Sequence, residues 1–246
     1  MRSKLNKILE FLRENRSYNK DIQEKYNLNT IVPYDTKEEK VLSLLYDIVN
    51  TQSQPNINNI ANFFKELEEN KEVLNSFNSF VRYLDQNCDE PNYEALFQGL
   101  KSKPGWGDKT SALFVKNICH FHNGEYSKKL YIWDDAPKNI AKSDKISLPV
   151  DTVIIAIFNK LYPQEKKWNF STINKIMEDE NFSNEDKEVF DDLWFWGFIT
   201  QEGNASGRVH KWNENKYWMI KVASKDQTII KQIENKANEF LKILNS

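Results

Sequence analysis

The sequence predicts an all-α protein. Three observations carry that expectation: only seven glycines in 246 residues, many Lys, Glu, Asn, Leu and Ile, and long stretches with apolar residues at helical spacing. Few segments alternate with period two, so no large sheet is expected. A chain of this length can bury one or two sizeable cores.

Residues 3–15 read as an amphipathic helix with Leu5, Ile8, Leu9 and Leu12 on one face. Residues 18–35 read as irregular, or as a short helix ending at Pro33. From Lys37 a helix carrying Val41, Leu44, Leu45 and Ile48 runs to the polar stretch Asn50-Thr51-Gln52-Ser53-Gln54-Pro55. A helix over 56–69 follows, with Ile57, Ile60, Phe64 and Leu67. Helices around 71–87 and 92–101 come next; the second places Tyr93, Leu96, Phe97 and Leu100 on one side. After a tight turn, a helix-like run covers 111–121. Residues 123–147 read as an irregular, charged insertion, on which Trp133 is a candidate exposed aromatic. The run 151–162 is almost wholly apolar after its start (Val153, Ile154, Ile155, Ile157, Phe158, Leu161), which predicts a central, buried helix. A polar link with Pro163 and Trp168 precedes a short helix over 171–179. Helix 184–200, with Phe190, Leu193, Trp194 and Phe198, leads to a Gly/Asn/Ser loop at 202–207. Residues 208–222 are rich in Trp and Tyr with no assignable pattern, and an amphipathic helix spans 225–244.

The turn is Lys103-Pro104-Gly105-Trp106-Gly107-Asp108-Lys109-Thr110. Gly105 and Gly107 suit backbone with positive φ, or backbone that lies against something with no room for a Cβ. A glycine-rich turn feeding a helix directs bare N–H groups and the positive end of the dipole outward, and the flanking lysines make phosphate the matching anion.

This pattern resembles the hairpin of the helix-hairpin-helix DNA glycosylases, the superfamily of endonuclease III and 8-oxoguanine glycosylase. The family hairpin reads Leu-Pro-Gly-hydrophobic-Gly-x-Lys, then a small residue or Thr and a helix; here Lys103 replaces the leucine. The resemblance implies phosphate contacts from Lys103, Gly105, Gly107 and Thr110, and a nucleophilic lysine at Lys109. Lyase-competent members also carry a downstream Pro-Val-Asp or Val-Asp-Thr whose aspartate is catalytic. Leu148-Pro149-Val150-Asp151-Thr152 assigns that role to Asp151. The two residues lie 42 apart, a longer link than the family usually shows, because of the 123–147 insertion.

Each of these residues also has a plainer use. Lys109 could simply contact a phosphate, and an aspartate before an apolar helix is a preferred N-cap. In the catalytic reading, a lysine at a helix N-terminus beside a dry pocket has a lowered pKa, because dipole and desolvation both disfavour the ammonium. A neutral amine can then form a Schiff base with C1′. Asp151 would steady the cationic transition state. The resemblance further maps a DNA-facing knot onto Gln52 and Gln54, which otherwise read as an ordinary loop. Leu113, one turn after Lys109, would line the base pocket, and Trp194 or Phe198 would cover its other face; all three also suit a core.

The net charge is −2, but residues 101–145 hold nine lysines against five acids, a local +4 on a body of −6. That asymmetry fits a protein docking DNA on one side, and equally a solvated lysine-rich loop. Two cysteines, Cys88 and Cys119, leave no room for a disulfide framework or for the four-cysteine iron–sulfur cluster of many endonuclease III-like members. Cys119, His120 and His122 diverge on consecutive helical positions, so no metal and no cofactor are expected. No apolar run reaches transmembrane length and the N-terminus lacks a signal-peptide core, so a cytoplasmic protein without membrane contact is expected.

Together these readings predict two helical units, 36–150 with the hairpin and 1–35 plus 151–246, with the substrate cleft between them as the resemblance implies. The expected protein is a monomeric DNA repair glycosylase with AP lyase activity on double-stranded DNA holding a damaged base, 8-oxoguanine best. The alternatives are a monofunctional glycosylase for another modified base and a non-catalytic duplex-binding protein.

Overall fold

In the computed structural model the described residues are 2–141, 144–163, 167–203 and 207–246. Parts of the insertion (142–143), of the polar link (164–166) and of the 202–207 loop (204–206) therefore lie outside them. Among the described residues the fold is all-α apart from one two-stranded antiparallel pair. No helix there is long and apolar enough to cross a membrane. The chain forms two compact units, 26–149 and 1–25 with 150–246; the first boundary thus lies ten residues before the expected 36, and the second one residue before the expected 151.

The first unit holds α3 (Lys37–Val49), α4 (Ile57–Glu69), α5 (Phe77–Leu84), α6 (Tyr93–Lys101) and α7 (Asp108–His122). A 3-10 turn over Lys71–Asn75 and Ser76 separate α4 from α5, so the expected helix around 71–87 is two shorter pieces. Thr36 starts α3 with a capping box to Glu39, Asn56 caps α4 and Asn92 caps α6, which supplies orphan first-turn amides with acceptors. Leu44, Leu45, Leu67, Phe80, Leu96, Leu100, Phe114 and Ile118 are fully buried and form the core.

The insertion is part of that core, not an exposed appendage. Leu130, Ile132, Trp133, Ala136 and Ile146 are buried. Trp133, expected to be exposed, lies against Phe77 and Phe80, and its indole N–H donates to the Leu74 carbonyl at 2.7 Å. Asp135 accepts from the Phe77 and Asn78 amides, both at 2.9 Å, and so closes the start of α5. Without helical periodicity around it, a tryptophan among charged residues gave no sign of its burial.

The second unit holds α1 (Arg2–Glu14), α8 (Thr152–Leu161), α9 (Phe170–Asp179), α10 (Asn184–Phe190), α11 (Leu193–Ile199), the strands β1 (Gln201–Glu202) and β2 (Val209–His210), α12 (Glu214–Met219) and α13 (Gln227–Leu244). Phe11 of α1 packs edge-on to Trp196 of α11 and against Phe240 of α13. The apolar α8 is central as expected, packing on α11 and α13.

Of the two readings of residues 18–35 the helical one holds, with a longer helix than expected: α2 (Arg16–Ile31) ends two residues short of Pro33 and crosses from one unit into the other. Its early turns bind through polar groups, with Asn19 donating to Asp192 and Gln23 to Asp191, so its inward face lacks the apolar stripe that marks a helix. The run 184–200 is not one helix, because buried Asp191 and Asp192 break it between α10 and α11. Those two carboxylates meet the α2 amides there, while the apolar spacing continues across the break and hides it.

Candidate functional site

The hairpin joins α6 to α7 through two differently used glycines. Gly105 has φ +90°, and a Cβ on it would lie 2.8 Å from Ile60 Cγ1, so both conformation and packing demand glycine. Gly107 is extended (φ −125°), and a Cβ there would meet nothing within 4 Å. Among the described residues nothing requires glycine at 107. Trp106 between them is buried against Phe63 and Phe114.

Gly107 is the N-cap of α7 and has no side chain to close it. Only Thr110 reaches back, its hydroxyl accepting from the Gly107 N–H at 3.0 Å. The first-turn amides of a helix have no carbonyl one turn back, so this end carries positive potential. Lys101 and Asp108 form an ion pair of 2.6 Å across the hairpin, and the Lys103 ammonium lies 5.4 Å from the Tyr83 ring centre.

The polar stretch after α3 docks on this hairpin. Gln52 Nε2 donates to the Gly105 carbonyl at 3.2 Å. Lys109 Nζ donates to the Thr51 carbonyl at 3.2 Å and to its hydroxyl at 3.1 Å, and that hydroxyl donates to the Ile48 carbonyl. Gln52, Gly105, Gly107, Lys109 and Thr110 are thus assembled in one place. Gln54 is exposed and Leu113 half-buried. Thr51 was missed as a site residue, although it stands beside Gln52 in the stretch that the sequence singled out.

In the other unit, Asp151 is the N-cap of α8. Its Oδ1 accepts from the Val153 and Ile154 amides at 2.8 and 3.1 Å, which is the capping use foreseen for it. Its Oδ2 accepts from the Trp194 indole N–H at 2.9 Å. Trp194 is exposed and stacks on Phe198, rings 5.0 Å apart and 7° from parallel. Lys216 lies 5.1 Å over the other ring of that stack, and burial, then the Arg208 charge, holds its pKa below the usual lysine value. Asp151, Trp194 and Phe198 are therefore joined in one unit. Lys216 was not foreseen, because residues 208–222 gave no pattern to place it.

Among the described residues no group of three or more His, Cys, Asp or Glu side chains is placed to hold a metal ion. Lys109 and Asp151 belong to different units. No family model, curated protein or solved structure matches the chain.

Proposed function

We propose that the chain is a helix-hairpin-helix DNA glycosylase with AP lyase activity that removes a damaged base, 8-oxoguanine foremost, from double-stranded DNA. The observation that carries this reading is the uncapped start of α7, with Gly107 facing open space and Lys109 in the first turn. A backbone phosphate can approach Gly107 closely and take the first-turn amides as donors. Lys109, once free of Thr51 and deprotonated, attacks C1′ and displaces the base, which leaves with the proton the amine gives up. Opening of the sugar ring, with O4′ taking a proton, then gives the imine, and loss of a C2′ proton permits β-elimination of the 3′ phosphate. The Asp151 carboxylate stabilises positive charge on the sugar, and the Trp194–Phe198 stack offers an aromatic face to an extruded base.

One observation favours a second reading, a non-catalytic duplex-binding protein. The Lys109 ammonium is held by the Thr51 carbonyl and hydroxyl, contacts that suit a structural cation. Borohydride trapping on a duplex with a single 8-oxoguanine or a single abasic site separates the two. The glycosylase reading expects a covalent adduct with wild type that vanishes in Lys109→Ala. No adduct on either DNA sinks the lyase, and release of free base without an adduct identifies a monofunctional enzyme. Binding that is steeply salt-dependent and indifferent to the lesion, with neither product, leaves the duplex-binding protein.

A further inference from the structure

A second feature owes nothing to the hairpin. One stripe of α8 and the strand β2 enclose a groove of about 640 Å³. The α8 wall carries Ile155, Asn159 and Lys160, and the other carries Arg208, Val209 and His210. No carboxylate among the described residues lines it. Among the described residues Lys160 and Arg208 make no ion pair, while Glu202, the acid of the strand pair, is bonded to Lys211.

The arginine is held in place. Gln201, fully buried, donates through Nε2 to the Val153 carbonyl of α8 at 3.0 Å and accepts from Arg208 through Oε1. One buried amide thus ties the guanidinium to the helix that forms the opposite wall. Burial first, and then the charges of Lys160 and Arg208, depress His210, whose Nδ1 is buried without a hydrogen-bond partner. Two cations without a described acidic partner and an imidazole nitrogen buried without a hydrogen-bond partner share one concave space, an arrangement that favours an anion.

We propose that this groove binds the phosphate group of a nucleotide. Arg208 offers a planar fork, Lys160 a point charge and His210 a ring nitrogen, matching a group with three acceptor oxygens and up to two negative charges. Ile155 and Val209 give the organic body of the ligand an apolar surface, and the volume is within the usual range for small-molecule sites. The phosphate has two possible sources, a free mononucleotide or a position within a polynucleotide.

The test titrates thymidine 5′-monophosphate, thymidine and a twelve-base-pair duplex into wild type, Lys160→Gln and Arg208→Gln, followed by calorimetry. Lys160 is exposed, so its variant reports independently of any effect on folding when Gln201 loses Arg208; the thermal midpoint of each variant is recorded alongside. Saturable binding of the monophosphate but not of thymidine, weakened at least tenfold in both variants, establishes a free-nucleotide site. Binding of the duplex alone, with the same tenfold losses, places the phosphate in a polynucleotide. Thymidine binding as tightly as its phosphate, or affinities unchanged in Lys160→Gln, overturns the proposal. Lys109→Ala leaves monophosphate binding unchanged, so failure here and failure of the glycosylase reading remain distinct.

Discussion

Two helices begin in opposite ways. At α8 the Asp151 carboxylate closes two backbone amides and takes an indole N–H besides, so that end supplies its own negative charge. At α7 the cap is a glycine with empty space before it, the side chain that turns back is the neutral Thr110 hydroxyl, and the one first-turn acid, Asp108, is paired with Lys101. A side-chain cap stabilises a helix by about 1 kcal/mol over alanine but by only a few tenths over glycine. The sequence forgoes that small gain at α7 while taking a side-chain cap at α8, α3 and α6. Such an omission is informative where the helix start is also flanked by lysines, since an uncapped start is where an external anion is best received.

The largest effect on this contrast should come from Gly105→Ala, which puts a methyl against Ile60 at a positive φ. It should lower stability by about 2–4 kcal/mol, the sum of overpacking and backbone strain, measured by urea unfolding. A loss under 1 kcal/mol would mean that the hairpin backbone relaxes easily and does not fix the start of α7.

The far end of α7 gives the next effect. Burial holds His122 down at about 4, against the opposing pull of Asp135 and then Asp134, and the Ile132 amide donates to its Nε2 at 3.5 Å. An unfolded histidine titrates near 6.5, so between these values the unfolded chain binds the extra proton. The contribution is complete above about pH 6.5 and is lost as pH falls toward 4, by about 3 kcal/mol at most. His122→Phe should flatten that part of the stability–pH curve; an unchanged slope refutes the assignment.

At α8, Asp151→Ala should cost about 1–2 kcal/mol through the lost cap and the freed Trp194 indole. Asp151→Asn keeps a capping oxygen and should recover most of it. If the catalytic reading is right, the asparagine variant remains folded but releases base at least a hundredfold more slowly.

The smallest change in stability tests the contrast most directly. Gly107→Asp gives α7 the cap that α8 already has, in backbone that accepts it. Stability should rise by a few tenths of a kcal/mol at most, while duplex affinity, read by fluorescence anisotropy, should fall at least tenfold. Undiminished affinity would show that DNA does not use this helix start.

Much of the fold was legible because its cues are local. The apolar spacing of α3 and α8, the Asp151 cap and the two hairpin glycines each announce themselves within a few residues. What escaped depends on partners distant in sequence. The inward face of α2 is polar because it meets Asp191 and Asp192, and those aspartates break a helix whose apolar rhythm carries on regardless. The site divides in the same way. Lys109 and Asp151 could be named from their motifs, and the sequence suggested Trp194 and Phe198. That Thr51 anchors Lys109, that Trp194 donates to Asp151, and that Arg208 is braced by a buried glutamine arise only when separate segments come together.

The burial of Trp133 and the cap from Asp135 alter the meaning of the 42-residue interval between Lys109 and Asp151. An interval made of loop is a tether whose length can drift freely. This one contributes interior surface and a helix terminus to its unit, so its length is set by architecture. Shortening it would remove part of the core.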